Sequence, residues 1–205
     1  MRIFVTGTDT NVGKTVFAAA LAGALEASYW KPIQAGSLNH SDSDTVRALS
    51  GLSSARIFPE GYRFENPCSP HRAAELDAIE IDCDSLQPPD ADPLVVEGAG
   101  GLLVPVTRQI LIVDLIARWK LPVVLVAKTS LGTINHTLLS VNALASRGIP
   151  LIGIAFVGDP APDSEHIVCA LTGAKRLGRL PRLDPVDQAS LRLAFVDNFS
   201  LDDFR

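Results

Sequence analysis

The feature that most constrains the fold is a repeated alternation of two kinds of segment along the chain. Short runs of β-branched and other apolar residues are each followed by a turn and by a stretch rich in Ala and Leu with helical spacing. We predict strands at residues 2–5, 93–97, 122–127 and 151–157, and a helix at 133–146. This order implies right-handed crossovers and a parallel sheet, in which ligands bind at the carboxyl ends of the strands.

The composition supports a single α/β domain spanning residues 1–205. Hydrophobic residues make up 47% of the 205 positions, whereas aromatic residues make up only 6%. The core must therefore consist mainly of Ala, Leu, Val and Ile, which suits parallel strands covered by helices on both faces. A chain of this length can bury a full hydrophobic core and lies in the usual range for one domain.

The charge and the cysteines argue against several classes of protein. Lys and Arg total 18 against 23 Asp and Glu, and no segment concentrates basic residues, so we expect no nucleic-acid partner. No apolar run approaches the roughly 20 residues of a membrane helix, so no membrane partner is expected either. The first residues lack the order of a signal peptide, which favours a cytoplasmic location. Three cysteines without CxxC spacing indicate neither a disulfide framework nor a zinc site.

Residues 58–93 interrupt the alternation. This segment contains six prolines and no sustained period, and we predict only a short helix after Pro70. Irregular segments of this length in compact domains are usually functional. We therefore expect it to form a wall of the active site rather than a linker.

Residues 7–15, which we call the P-loop, follow the first predicted strand and open the first helix. They read Gly-Thr-Asp-Thr-Asn-Val-Gly-Lys-Thr, with Gly7 one residue before the usual place of the first glycine in such motifs. The N–H groups of such a loop and the helix N-terminus bind phosphate. Lys14 would reach the outer phosphates and the Thr15 hydroxyl could ligate Mg²⁺. The sequence thus predicts a P-loop NTPase-type sheet.

Charged residues near other strand ends are candidates for the same site. Lys31 ends a short predicted second strand, where its side chain could point towards the P-loop. A lysine at such a position is nevertheless more commonly solvated at the surface. Glu97 ends a buried strand, where P-loop enzymes place an acid that holds Mg²⁺. Asp42 and Asp44 both precede a helical run, and either could be its N-cap.

A second helix start follows the strand at 122–127. Residues 131–135, Leu-Gly-Thr-Ile-Asn, could bind an anion at the helix N-terminus. Ordinary capping by Thr133 explains the same pattern equally well. The two readings stay open on the sequence alone.

The P-loop and five further motifs resemble those of the dethiobiotin synthetases. The further motifs are Lys31-Pro32, Ser43-Asp44, Ser69-Pro70-His71, Glu97-Gly98-Ala99-Gly100-Gly101 and Leu131-Gly132-Thr133-Ile134-Asn135-His136. The resemblance covers about three quarters of the chain, in order. It implies an ATP- and Mg²⁺-dependent cyclo-ligase of biotin biosynthesis that converts 7,8-diaminononanoate and CO₂ to dethiobiotin, ADP and phosphate, through a carbamate and a carbamic-phosphoric anhydride.

The resemblance also implies the roles of individual residues. Lys31 and Lys14 would be catalytic, and Thr15, Asp44 and Glu97 would bind the metal, with Asp44 fitting the family pattern better than Asp42. The implied nucleotide-binding residues are Asn11, Val12, Gly13, Lys14, Thr15, Val16, Asp44, Glu97, Gly98, Ala99, Gly100, Gly158, Pro181, Arg182 and Leu183. The implied substrate-binding residues are Thr10, Ala35, Leu131, Gly132 and Asn135, the last three reaching the site across a homodimer interface. His71 and His136 receive no chemical step.

Three positions depart from the family pattern. Asn11 stands where Glu is common, Ala35 stands where Ser or Thr lines the substrate, and Gly158 stands where an Asn often reads adenine. Gly158 could still offer its backbone groups. Three other classes compete with the ligase: partitioning ATPases, which carry an extra lysine at the start of the loop; the ligase half of glutamine-dependent amidases; and nucleotide-binding scaffolds without turnover.

Overall fold

The computed structural model describes residues 1–36 and 40–205. In chain order its elements are β1 (Arg2–Gly7), α1 (Lys14–Ala24), β2 (Ser28–Trp30), β3 (Ile33–Ala35), α2 (Asp42–Leu49), β4 (Tyr62–Phe64), α3 (Pro70–Leu76), β5 (Leu94–Gly101), α4 (Ile112–Trp119), β6 (Val123–Lys128), α5 (Thr133–Ala145), β7 (Leu151–Val157), α6 (Pro162–Thr172), β8 (Arg176–Leu180) and α7 (Gln188–Asn198). Short 3₁₀ helices lie at Ser54–Arg56 and Leu201–Phe204.

The main sheet has six strands in the order β2-β5-β1-β6-β7-β8, and every pair is parallel. In the centre, Val5 of β1 pairs with Glu97 of β5 on one side and with Val124 of β6 on the other. The predicted parallel sheet is confirmed. Its arrangement brings the carboxyl ends of β1, β2 and β5 to one edge, where the P-loop begins.

Apolar side chains cover the sheet on both faces. On one face, Phe17 of α1 and Phe195 of α7 pack against a cluster that contains Val5 and Val124. On the other face, Phe4 packs with Ile112 of α4 in a second cluster, and α6 covers the β6–β7 region through Val168. The expected layers of helix, sheet and helix are therefore present. Among the described residues no helix has both the length and the apolar character needed to cross a membrane.

The structure also differs from the sequence prediction in its shorter elements. β5 does not end at Glu97 but continues to Gly101, because its pairing with β1 resumes at Gly7 and Gly101. The periodicity does not reveal β3 and β4, which are three residues each and too short to show a repeat. Together they form a separate parallel pair that ties the 58–93 segment to the chain after Lys31. The short helix after Pro70 is confirmed as α3.

Candidate active site

The P-loop joins the end of β1 to the first turn of α1. Asn11 (φ 57°) and Gly13 (φ 96°) adopt left-handed backbone conformations, which asparagine tolerates better than most residues and glycine adopts freely. A Cβ at Gly13 would lie 2.8 Å from Cγ1 of Val157, at the end of β7. Glycine is thus required at position 13, and the P-loop is held directly against the sheet. Val12 instead packs its side chain into the core, so any contact with a nucleotide would come from its backbone.

Lys14 begins α1 and is only 7% exposed. Its Nζ donates a hydrogen bond to the carbonyl oxygen of Asp9 at 2.7 Å, across the loop. Burial and then the positive charge of Lys31 lower the pKa of Lys14 to about 8. An anion near this ammonium would relieve both effects, because it would offset the lost hydration and the repulsion between the two lysines.

Glu97 lies in β5, fully buried, and its two carboxylate oxygens accept hydrogen bonds from different neighbours. Oε1 accepts from the Thr15 hydroxyl at 2.8 Å and from Lys31 Nζ at 3.0 Å. Oε2 accepts from the Tyr29 hydroxyl at 2.8 Å. A buried carboxylate needs such donors, since an unpaired charge in the interior is very costly. Burial, and then the negative charge of Glu97, raise the pKa of Tyr29 well above its ordinary value, so the phenol stays protonated as the donor.

Lys31 directly follows β2 and is 3% exposed, so it is not the solvated surface lysine that sequence alone would favour. Its ammonium contacts Glu97, the carbonyl oxygen of Gly98 at 3.1 Å and Oδ2 of Asp42 at 2.5 Å. Burial acts to lower the pKa of Lys31, but the charges of Glu97 and Asp42 outweigh it and raise the pKa above the ordinary value. A permanent positive charge is thereby fixed beside the P-loop.

The structure places the two aspartates of α2 in different surroundings. Asp44 forms a capping box with Ser41: its Oδ2 accepts from the Ser41 N–H at 2.9 Å, and Arg47 donates to its Oδ1. The backbone N–H of Ser41, followed by its hydroxyl, lowers the pKa of Asp44 to about 2. The cap and the exposed Arg47 occupy this carboxylate, and Asp44 does not line the cleft. Its role as a metal and nucleotide ligand stays a prediction, which this geometry does not support.

Asp42, in contrast, faces the cleft. It is the first residue of α2, lines the cleft and forms the ion pair with Lys31. Burial acts to raise the pKa of Asp42, but the Lys31 ammonium and hydrogen bonds with Lys31 and Thr15 lower it below the ordinary value. The carboxylate is therefore charged beside Thr15 and Glu97.

These groups surround a cleft of about 750 Å³ beside the P-loop. Predicted site residues that line it are Thr10, Asn11, Gly13, Lys14, Thr15, Val16, Lys31, Ala35, Glu97, Ala99 and Gly100. Gly98 takes part only through its carbonyl oxygen, which accepts from Lys31. The residues at 67–70 form one side of the cleft, so the 58–93 segment is a wall of the site, as expected. Residues 37–39 lie outside the described part of the chain.

Gln34 and Tyr29 are site residues that sequence reasoning missed. Gln34 lines the cleft, is 7% exposed and accepts the Asp42 N–H at 3.0 Å through Oε1, which fixes the start of α2. Its position three residues after Lys31 could have marked Gln34 as a candidate site residue. No local signal marks Tyr29, because its partner is 68 residues away.

Gly158, Pro181, Arg182 and Leu183 lie at and beyond the carboxyl ends of β7 and β8. Gly158 has φ 129°, and a Cβ there would lie 2.5 Å from Oγ1 of Thr129, so a larger residue does not fit this backbone. Its N–H donates to the carbonyl of Leu180 at 3.0 Å, and its carbonyl accepts from Arg179 at 2.8 Å. Little backbone capacity remains for reading a base. Arg182 and Asp159 form an exposed ion pair beside it.

Leu131, Gly132 and Asn135 are exposed and do not line the cleft of their own chain. Gly132 is the N-cap of α5, and Leu131 is fully exposed. Leu103 and Leu139 are 59% exposed and line a neighbouring groove with His136. His71 instead bonds through Nδ1 to the Ser69 hydroxyl at 3.0 Å.

The donors beside the P-loop suit Mg²⁺. Within residues 1–36 and 40–205 no three His, Cys, Asp or Glu side chains are grouped as a complete metal site. Mg²⁺ in phosphate-transfer sites, however, needs only one or two carboxylates and completes its shell with phosphate oxygens and water. Thr15, Asp42 and Glu97 offer such hard oxygen donors. Cys68, Cys83 and Cys169 are free thiols.

Comparisons with known proteins agree with the P-loop fold. A family model described as an AAA domain matches residues 1–190. The chain is similar to a ParA family ATPase from Chlorobium tepidum TLS (TM-score 0.52, 16% identity, covering 95% of this chain and 92% of that one). It is also similar to the MinC:MinD cell division complex of Aquifex aeolicus (TM-score 0.54, 12% identity, covering 94% and 86%). These likenesses support the P-loop fold alone.

Curated relatives are much more similar in sequence. The ATP-dependent dethiobiotin synthetase BioD of Rhodopseudomonas palustris strain HaA2 is 59% identical over 203 residues, which cover 98% of this chain and 95% of the relative. The protein of the same name from Novosphingobium aromaticivorans is 56% identical over 200 residues, covering 98% and 97%. With the P-loop, the paired lysines and the buried glutamate in place, this likeness over nearly the full length shows that the chain belongs to the ATP-dependent dethiobiotin synthetases.

Proposed function

We propose that the chain closes the ureido ring of dethiobiotin from 7,8-diaminononanoate and CO₂, converting ATP to ADP and phosphate. One amine of the substrate captures CO₂ as a carbamate and loses a proton. A carbamate oxygen then attacks the γ-phosphorus, the bond to the ADP oxygen breaks, and a carbamic-phosphoric anhydride forms. The second amine attacks the carbonyl carbon and loses a proton, and phosphate leaves as the ring closes.

The observation that carries this proposal is the convergence of two buried lysines on one phosphate loop. Phosphoryl transfer requires mainly positioning and stabilisation of charge on the transferred group. Lys14 and Lys31 supply two positive charges in a site with little solvent, where such charges act most strongly. The ion pairs with Glu97 and Asp42 hold Lys31 in place, so no reorganisation is needed when negative charge develops.

The metal donors that we propose are Thr15, Asp42 and Glu97. Bound Mg²⁺ would neutralise negative charge on the phosphate oxygens and orient the triphosphate. Asp42 and Glu97 hold the Lys31 ammonium between them, so they already form a cation-binding pair. Asp44 has no part in this set, since the capping box occupies it.

The diamine would occupy the cleft between the P-loop and the 67–70 wall. Its volume of about 750 Å³ lies in the usual range for small-molecule sites. Thr10 offers a hydroxyl and Ala35 offers an apolar wall along this cleft. The terminal carboxylate of the substrate would reach the α5 N-terminus of a second chain, with Leu131, Gly132 and Asn135 around it.

A homodimer is therefore part of the proposal. The predicted carboxylate-binding residues do not line the cleft of their own chain, and exposed Leu139 lies on the same helix as Asn135 and shares a groove with exposed Leu103. An apolar surface of this kind commonly marks an interface between proteins. The cytoplasmic location stays a prediction from the sequence.

The decisive experiment measures phosphate release from ATP with and without the diamine and bicarbonate, and identifies the product by mass spectrometry. We expect turnover to require all three substrates and Mg²⁺, and to yield dethiobiotin. Lys31→Ala should lower kcat by at least about a hundredfold, because a preorganised charge at the transferred phosphoryl group is lost. Lys175→Ala, which removes an exposed lysine paired with Asp203, serves as the matched control and should be fully active.

ATP hydrolysis that ignores the diamine would contradict the ligase and favour a nucleotide-switching ATPase. Binding of ATP without any turnover would favour a scaffold. Full activity of Lys31→Ala would leave the ligase intact but remove the role of that lysine.

A further inference from the structure

The carboxylate of Glu97 is held by two kinds of donor that lie in different surroundings. Thr15 and Lys31 bond to Oε1, and both line the cleft. The Tyr29 hydroxyl bonds to Oε2 from inside the protein. Tyr29 is fully buried and does not line the cleft. The two oxygens thus face two different environments.

The sheet explains why Tyr29 reaches this oxygen. Tyr29 of β2 pairs with Val95 of β5, and Glu97 lies two residues further along the same strand. Residues two apart in a strand share one face of the sheet, so the phenol and the carboxylate lie on the same side. The Tyr29 backbone is also fixed on its other side, where its carbonyl accepts the Phe58 N–H at 2.9 Å. The ring is packed in the cluster that contains Val46 and Ile57.

The donors to Oε1 are the ones that a bound nucleotide and metal would engage. The Thr15 hydroxyl would turn its oxygen towards Mg²⁺, and the Lys31 ammonium would face the phosphates. Turning the hydroxyl removes the Thr15 donor from Oε1, whereas Lys31 keeps its ion pair with Glu97. The bond from Tyr29 to Oε2 is independent of the cleft, because the phenol has no other place to go within the packed core.

We propose that Tyr29 is a positioning residue, which holds Oε2 of Glu97 from the core side so that Oε1 is presented to the metal in the cleft. Tyr29 touches neither substrate nor metal and acts only through Glu97. The inference rests on the proposed Mg²⁺ site. The inference adds Tyr29, a residue that no local sequence motif marks, to that site.

The test uses Tyr29→Phe, which removes the hydroxyl and keeps the ring. Mn²⁺ serves as the metal probe, and its binding is measured by electron paramagnetic resonance in the presence of a non-hydrolysable ATP analogue. We expect Mn²⁺ to bind at least about tenfold more weakly, since a hydrogen bond to a charged group is lost. The metal concentration that half-activates turnover should rise in parallel, whereas the KM for the diamine should stay within about twofold.

The matched control is Tyr62→Phe. The Tyr62 hydroxyl accepts the Asp82 N–H at 2.9 Å, away from Glu97, so its loss should leave Mn²⁺ binding unchanged. Far-ultraviolet circular dichroism and binding of the analogue without metal report whether each variant is folded. For Tyr29→Phe both should match the unmodified chain, which a purely structural role would not allow.

Unchanged Mn²⁺ binding in Tyr29→Phe would overturn the positioning role and leave the proposed function standing. Equal losses of metal binding, metal-free nucleotide binding and native circular dichroism would overturn it in favour of a purely structural role. An unmodified chain that binds the analogue but no Mn²⁺ would instead overturn the metal site, and this inference with it.

Discussion

The helix geometry of α2 explains why one aspartate enters the site and its neighbour does not. Successive residues of an α-helix are rotated by about 100°, so positions two apart face nearly opposite directions. Asp42 therefore reaches Lys31, while Asp44 turns back to Ser41 and pairs with Arg47. Both residues carry the same charge and follow a serine, which is why the sequence pattern could not separate them.

This difference gives a paired prediction. Asp42→Asn should lower kcat/KM for ATP by at least about a hundredfold, because Lys31 loses a partner and the metal loses a donor. Asp44→Asn should keep activity within about twofold and cost about 1 kcal/mol or less of unfolding free energy, since it weakens an exposed cap. Steady-state phosphate release and urea unfolding measure the two effects. An inactive Asp44→Asn beside an active Asp42→Asn would restore the assignment made from the sequence.

At the scale of elements, the 58–93 segment forms a wall because several contacts attach it to the sheet. β3 and β4 pair next to Lys31, and Trp30 donates its ring N–H to the carbonyl of Pro59 at 3.1 Å. α3 is linked to the loop after β5 through Glu75, which accepts from Arg108 at 2.7 and 2.9 Å and from Arg72 at 3.1 Å. The wall is thus an ordered part of the domain, although its sequence shows no period.

The Glu75 contacts predict a pH-dependent contribution to stability. Hydrogen bonds from Arg108 and then Arg72 lower the pKa of Glu75 from 4.5 to about 2. Because the pKa of Glu75 is lower in the folded chain, its ionised carboxylate stabilises the folded state at pH values above the unfolded pKa of 4.5. That contribution disappears as the pH falls towards 2. Glu75→Gln should therefore be slightly less stable than the unmodified chain at pH 7 in low salt, and the difference should shrink at lower pH.

Urea unfolding at pH 7, 4.5 and 3 measures this trend. High salt should also reduce the difference at pH 7. The three side chains are at the surface, and in about 1 M salt the screening length for exposed charges falls to about 3 Å. Glu80→Gln removes an exposed glutamate from the same segment and should change nothing. A Glu75→Gln effect that is independent of both pH and salt would show that packing, not charge, links α3 to the loop.

At the scale of the whole molecule, the proposed dimer predicts which surface a charge would disrupt. Leu139 is exposed on α5 and lines a groove together with the exposed Leu103. Leu139→Glu should convert a dimer into monomers in sedimentation velocity and lower diamine-dependent turnover at least about tenfold, because each site would lose the partner's α5 N-terminus. Leu193→Glu, on α7 over the other face of the sheet, is the control. If Leu193→Glu dissociated the dimer and Leu139→Glu did not, the interface would lie on the α7 face and the proposed dimer would be contradicted.

Parts of this protein are determined by sequence alone because they depend on residues close together in the chain. The P-loop is encoded in nine consecutive positions, where Gly13 meets a left-handed backbone requirement and Lys14 begins a helix. The parallel sheet follows from apolar strands that alternate with helices. These local patterns predicted the fold, the phosphate site and Glu97, whereas the role of Lys31 was predicted only from the family resemblance.

Only the tertiary structure decided how distant side chains meet. The rotation of α2 selects Asp42, the register of β2 against β5 brings Tyr29 to Glu97, and the end of β7 occupies the space beside Gly13. Each contact joins residues that are far apart in sequence or depends on the orientation of a whole helix. No local period contains that information, because it arises only when the elements pack.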